Sequence, residues 1–185
     1  MRKTAVIALL VLILTGLAAA QIPVSGNVFF GYSYYRTNPS GIDTANTNGW
    51  EGSIEGKFLP LIGIVGDVSG HYGNETFAFS CPVGLPTCNT SPNVNIAEHN
   101  YLIGPRLSVS VGKYRPFAEA LFGVGHINAN AAGSDTSFAT ALGGGLDYKL
   151  IKLVAWRIQG DYVQTHFFGA RQDNIRISTG IAIHF

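Results

Sequence analysis

Charge is scarce in this chain. Asp, Glu, Lys and Arg make up only 12% of its 185 residues, and 46% are hydrophobic. An ordinary soluble domain is roughly a quarter charged, so the balance favours a membrane-embedded or heavily buried protein. The two signs nearly cancel to a formal net charge of +1, and no basic surface recommends nucleic acid or an acidic substrate as partner. Long hydrophobic runs are missing as well. Past Gln21 there is no stretch of about eighteen apolar residues, which excludes an ordinary transmembrane helix and leaves strands as the means of crossing a bilayer.

Other absences narrow the chemistry. The five histidines, at 71, 99, 126, 166 and 184, are scattered without metal-ligand spacing, so neither a metal nor another cofactor is expected. Gly143-Gly144-Gly145 is followed by neither Lys-Ser nor Lys-Thr, which excludes a phosphate loop. His126, Ser134, Asp135 and His166 could gather at one rim as a hydrolytic site, but loops of this composition contain such residues by chance, and no enzyme activity is expected. The cysteines number two. Cys81 and Cys88 lie in a polar, Pro-rich segment, where a loop disulfide is the simpler reading and a pair of free thiols the other.

The first twenty residues carry Arg2 and Lys3, then apolar Ala5 to Leu14, then Ala18-Ala19-Ala20, the three parts of a secretory signal. Residues 1–20 are therefore expected to be a signal peptide and 21–185 the mature domain, and because Gln21 rather than a cysteine directly follows the cut, a lipoprotein is not expected.

Within that domain apolar and polar residues alternate repeatedly, the period of a strand whose faces meet different surroundings. Along one strand Trp50, Ile54 and Phe58 face one way and Glu51, Ser53, Glu55 and Lys57 the other. At the end of the chain Ile175, Ile177, Ile181, Ile183 and Phe185 oppose Arg176, Ser178, Ala182 and His184. The pattern predicts strands over about 26–36, 48–58, 62–73, 96–111, 115–128, 136–149, 154–165 and 173–185. An even set of strands near bilayer-spanning length suits an all-β, eight-stranded antiparallel transmembrane up-and-down β-barrel, which leaves no unpaired edge in lipid. Predicted long connections at 37–47, 74–95, 129–135 and 166–172 alternate with tight turns at 59–61, 112–114 and 150–152, placing both mature termini on the periplasmic side. Trp50, Tyr72, Tyr101, Phe138 and Tyr162 are expected on the outer face at the upper rim, and Phe58, Tyr148, Trp156 and Phe185 at the lower.

The predicted inward face collects nearly all the membrane-depth charge: Glu51, Glu55, Lys57, Asp67, Glu98, Arg106, Glu119, Asp147, Arg157, Asp161 and Arg176. Folding strands about their connections puts Arg106 opposite Glu119, Asp147 near Arg157 and Asp161 near Arg176. Unpaired charge at this depth is costly, so a paired network filling the interior is expected. Glu55 and Asp67 look like a close carboxylate pair, with Lys57 and Arg106 near enough to neutralise it rather than leave it for acid–base work.

Gly31-Tyr32-Ser33-Tyr34, Gly104-Pro105-Arg106, Pro116-Phe117-Ala118, Gly143-Gly144-Gly145-Leu146-Asp147 and Asp161-Tyr162 resemble segments of the small outer-membrane β-barrel family related to OmpA and OmpX. The ending Ser178 to Phe185 is similar to the terminal signal by which the barrel-assembly machinery recognises its clients, with Gly180, Ile183 and Phe185 at the matching places. The resemblance implies an integral protein of the bacterial outer membrane, monomeric, with membrane lipid and the assembly machinery as partners. A peptidoglycan-binding domain of the OmpA kind is not expected after the barrel. The expected role is membrane structure or narrow, porin-like solute passage, and its rival is surface recognition through the Cys81–Cys88 loop. A lipid-modifying barrel enzyme and a soluble ligand-binding barrel are further alternatives.

Overall fold

The computed structural model describes residues 25–37, 45–76, 93–130 and 133–185. The expected signal peptide and both cysteines lie outside the described residues. Eight strands follow in order: β1 (Gly26–Thr37), β2 (Ala45–Lys57), β3 (Ile62–Thr76), β4 (Asn93–Ser108), β5 (Tyr114–Ala129), β6 (Gly133–Lys149), β7 (Val154–Thr165) and β8 (Gln172–His184). Each pairs antiparallel with its sequence neighbours, and β8 closes on β1, giving a closed barrel. Closure continues to the last residue, where Gly26 and Phe185 exchange backbone hydrogen bonds of 2.9 and 3.0 Å.

The strands overrun the predicted ones mainly at the long-loop end. β2 starts at Ala45 rather than near 48, β3 reaches Thr76 rather than 73, and β6 starts at Gly133 rather than 136. Apolar alternation marks only the part of a strand that faces lipid, whereas the Asn- and Thr-rich continuations pair through their backbones. Two predictions are corrected. β4 stops at Ser108, and residues 109–113 form the turn, with Gly112 in the left-handed region at φ 60°. The connection predicted at 129–135 is shortened to 130–132, because the β5–β6 ladder runs out to Ala129 opposite Gly133.

Burial is inverted relative to a water-soluble protein. The largest fully buried side chains are headed by Arg106, Arg157 and Arg176, while Phe30 is 65% exposed, Ile103 61% and Leu142 60%. The aromatic residues expected on the outer face do point outward, from Tyr72 and Phe138 to Trp156 and Phe185. An apolar belt this continuous requires lipid as its solvent, and a closed barrel satisfies every ladder hydrogen bond within it.

Candidate functional site in the barrel lumen

Inward side chains arise where strand parity meets the closed register, and they pack the lumen in two tiers. The tier nearer the short turns is organised by two arginines. Arg106 Nε donates to Glu119 Oε2 at 2.7 Å, its Nη2 lies 2.6 Å from the same oxygen, and its Nη1 reaches Glu55 Oε2 at 3.5 Å. Arg157 forks onto Asp147 at 2.6 and 2.8 Å and also donates to Asn27 Oδ1 at 3.0 Å. Both guanidinium groups stack over the Phe117 ring, at 4.3 and 4.7 Å from its centre. These cations are thus held by charge, by forked hydrogen bonds and by a π face at once.

The tier nearer the long loops hangs on Arg176. Its Nη1 lies 2.7 Å from Asp67 Oδ1, its Nη2 2.8 Å from Asp161 Oδ2 and its Nε 3.4 Å from Glu51 Oε2. One fully buried guanidinium therefore ties β8 to β7, β2 and β3, bridging the lumen rather than one hairpin. Glu51 is held further by Gln159 and Ser178, and Glu98 accepts from Asn100 at 3.0 Å. Above them Tyr35 stacks on His71 with ring centres 4.5 Å apart. Phe167, from a 3-10 turn at Phe167–Gly169, is fully buried at that end of the barrel. Gly143 makes room for this tier, since a Cβ there would overlap Asp161 Oδ1.

The register sets Arg106 opposite Glu119, Asp147 opposite Arg157, and Asp161 opposite Arg176. Two expectations are corrected. Glu55 faces Val65 while Asp67 faces Ser53, so the two carboxylates are offset along the hairpin and bind different arginines, Arg106 and Arg176. Lys57 leaves the network, its Nζ donating at 3.1 Å to the Pro60 carbonyl in the adjacent turn. It sits at the last paired position of β2, where the mouth opens and a turn carbonyl is nearer than any lumen acid.

Sequence reasoning missed Arg115, Asn27, Gln159 and Phe167. Arg115 lies 3.7 Å from Glu55 and donates to His184 Nδ1 at 2.8 Å. An arginine can only donate, so His184 must carry its proton on Nε2, which faces Asp147 at 3.3 Å. Parity could have found Arg115, two residues before inward Phe117. No sequence signal separates Phe167 from neighbouring Phe168, which is exposed.

The rim residues form no catalytic constellation among the described residues. His126 Nδ1 bonds Thr136 Oγ1 at 2.7 Å, and Asp135 is taken up by the backbone N–H groups of Thr136 and Phe168. The buried Ser33–His71 pair, 2.8 Å apart, is sealed from any substrate. Nor do three His, Cys, Asp or Glu side chains converge on a metal position among the described residues.

Closed topology, an apolar exterior and a polar, ion-paired interior define a small transmembrane β-barrel of the bacterial outer-membrane type. Solved structures agree with that class. The attachment invasion locus protein Ail of Yersinia pestis matches with TM-score 0.57 at 16% identity, covering 86% of this chain and 98% of Ail. Neisserial surface protein A matches with TM-score 0.66 at 12% identity, covering 86% and 97%. The N-terminal barrel domain of OprF from Pseudomonas aeruginosa matches with TM-score 0.52 at 13% identity, covering 89% and 100%. No protein-family model matches the chain, and no curated protein sequence does. At these identities the likeness establishes the fold.

Proposed function

We propose that the protein is an integral outer-membrane barrel with a sealed interior, a structural membrane element through which ions pass only as a narrow leak. The observation that carries this reading is Arg176, fully buried and bonded across the lumen to Glu51, Asp67 and Asp161. An eight-stranded barrel is only wide enough to be filled by its own side chains, and here arginines and phenylalanines fill it. Single-channel recording of the purified mature chain in planar bilayers tests the proposal. Brief, small openings or none are expected, and a long-lived open channel would overturn it.

A second reading, recognition at the cell surface, is favoured by the length of the connection between β3 and β4, residues 77–92. Ail, similar in fold, is an attachment protein that has been solved with a heparin analogue. Residues 77–92 contain neither Lys nor Arg, so a sulfated polymer is not the ligand this loop is composed for. Recognition without conductance would point to neutral polar and apolar contacts from that loop.

A further inference from the structure

The short-turn end of the barrel carries a cavity of about 150 Å³ lined by Lys113, Lys149 and Lys152 at its rim and by Arg115, His184 and Asp147. Besides Lys3 and Lys57, these three are the only lysines in the sequence, so a chain sparing of charge has gathered most of its lysines at one opening. None of the three makes an ion pair within the described residues, whereas Asp147, the only acid in the lining, is already forked by Arg157. The opening is built rather than incidental. Lys149 N–H donates to the Lys113 carbonyl at 2.8 Å, which fastens the β5 entry to the β6 exit, and two bonds onto the Val154 carbonyl close the neighbouring turn. Beside the lysines stand Val111, Leu150, Ile151 and Leu153, all more than half exposed. Apolar residues at turn tips, next to unpaired lysines, fit the boundary between acyl chains and headgroups rather than open water.

We infer that this cavity binds the phosphodiester headgroup of an anionic phospholipid of the phosphatidylglycerol class, drawn from the leaflet that the short turns enter. The three ammonium groups supply the charge, Ser110 on the lining adds a hydroxyl, and the apolar turn residues lie against the acyl chains. A volume of about 150 Å³ is about five waters' share of liquid, room for one phosphate and part of its hydration. The site rests on the membrane reading and is tested so that the two fail separately.

Trp156 provides the reporter. It faces outward on β7, opposite Tyr148 and next to Ala155, which lines the cavity. With Trp50 replaced by Phe, the mature chain is reconstituted in vesicles containing acyl-brominated phosphatidylglycerol or acyl-brominated phosphatidylcholine, and quenching of Trp156 is compared. Stronger quenching by the anionic lipid is expected. The preference should fall about fivefold for each Lys→Gln change at 113, 149 and 152, survive Lys→Arg at the same positions, and resist millimolar inorganic phosphate. Equal quenching by the two lipids, or a preference that persists in the triple Gln variant, would overturn the headgroup site and leave the barrel's insertion intact. Quenching by neither lipid would overturn the membrane reading itself. Displacement by inorganic phosphate would assign the cavity to a soluble anion and overturn the lipid source.

Discussion

Replacing Arg176 with Met is expected to destabilise the barrel more than any other single lumen change, by about 5 kcal/mol, at the upper end of what removing one member of a buried ion pair does. The reason lies in the count of partners. Arg176 is the cation within ion-pair distance of Glu51, Asp67 and Asp161 together, so its loss leaves several carboxylates facing one another in a space closed to water. Methionine fills most of the volume but answers none of the charge. Water and cations should enter to relieve the repulsion, giving a leak that prefers cations. Guanidinium unfolding in vesicles reads the stability and bilayer recording the leak. Adding Asp67→Asn and Asp161→Asn to the variant should restore much of the loss, because the orphaned charges then go too. A variant as stable as wild type would mean that Arg176 does not hold the upper tier.

Glu119→Ala attacks the lower tier and is expected to cost about 3 kcal/mol, the lower end of the same range. Arg106 would lose both short contacts to Glu119 but keep Glu55 at 3.5 Å and the Phe117 face at 4.3 Å. This tier holds Arg106, Arg115 and Arg157 against Glu55, Glu119 and Asp147, so removing Glu119 leaves a surplus cation. The leak should accordingly favour anions, opposite in sign to that of the Arg176 variant. The double change with Arg106→Ala should recover part of the stability. A double-mutant cycle without coupling between the two positions would show that the pair does not act as described.

The strand count and the within-hairpin ion pairs were legible because both depend on short-range features. Strand parity assigns faces, and a tight turn fixes which residues of one hairpin oppose each other, as for Arg106 with Glu119 and Asp147 with Arg157. Contacts across the lumen were not legible. Arg176 meeting Asp67, Arg106 meeting Glu55 and Arg157 meeting Asn27 join strands that are not sequence neighbours, and such meetings depend on the stagger of the closed barrel, which no single hairpin encodes. The pairing expected of Glu55 with Asp67 failed for a different reason, the centre of one turn: β2 and β3 pair about residue 60, which sets Glu55 opposite Val65 and Asp67 opposite Ser53. Their hairpin register offsets them, and each turns to an arginine delivered from elsewhere in the barrel. The polar ends of β2, β3 and β6 went unread because hydrophobic alternation reports on lipid contact, not on backbone pairing.

The central claim is that these strands cross a bilayer with one face in lipid and the other in a sealed core, and β8 offers the most direct test. Single cysteines placed in turn at 175 to 183, with Cys81 and Cys88 replaced by Ser, would carry spin labels in vesicle-reconstituted protein. Collision with oxygen reports lipid, and collision with a water-soluble nickel chelate reports aqueous exposure. Labels at Ile175, Ile177, Ile181 and Ile183, all outward and about half exposed, should collide with oxygen and hardly with nickel, while a label at inward, buried Ser178 should meet little of either. Strong nickel collision along the isoleucine face would contradict the account.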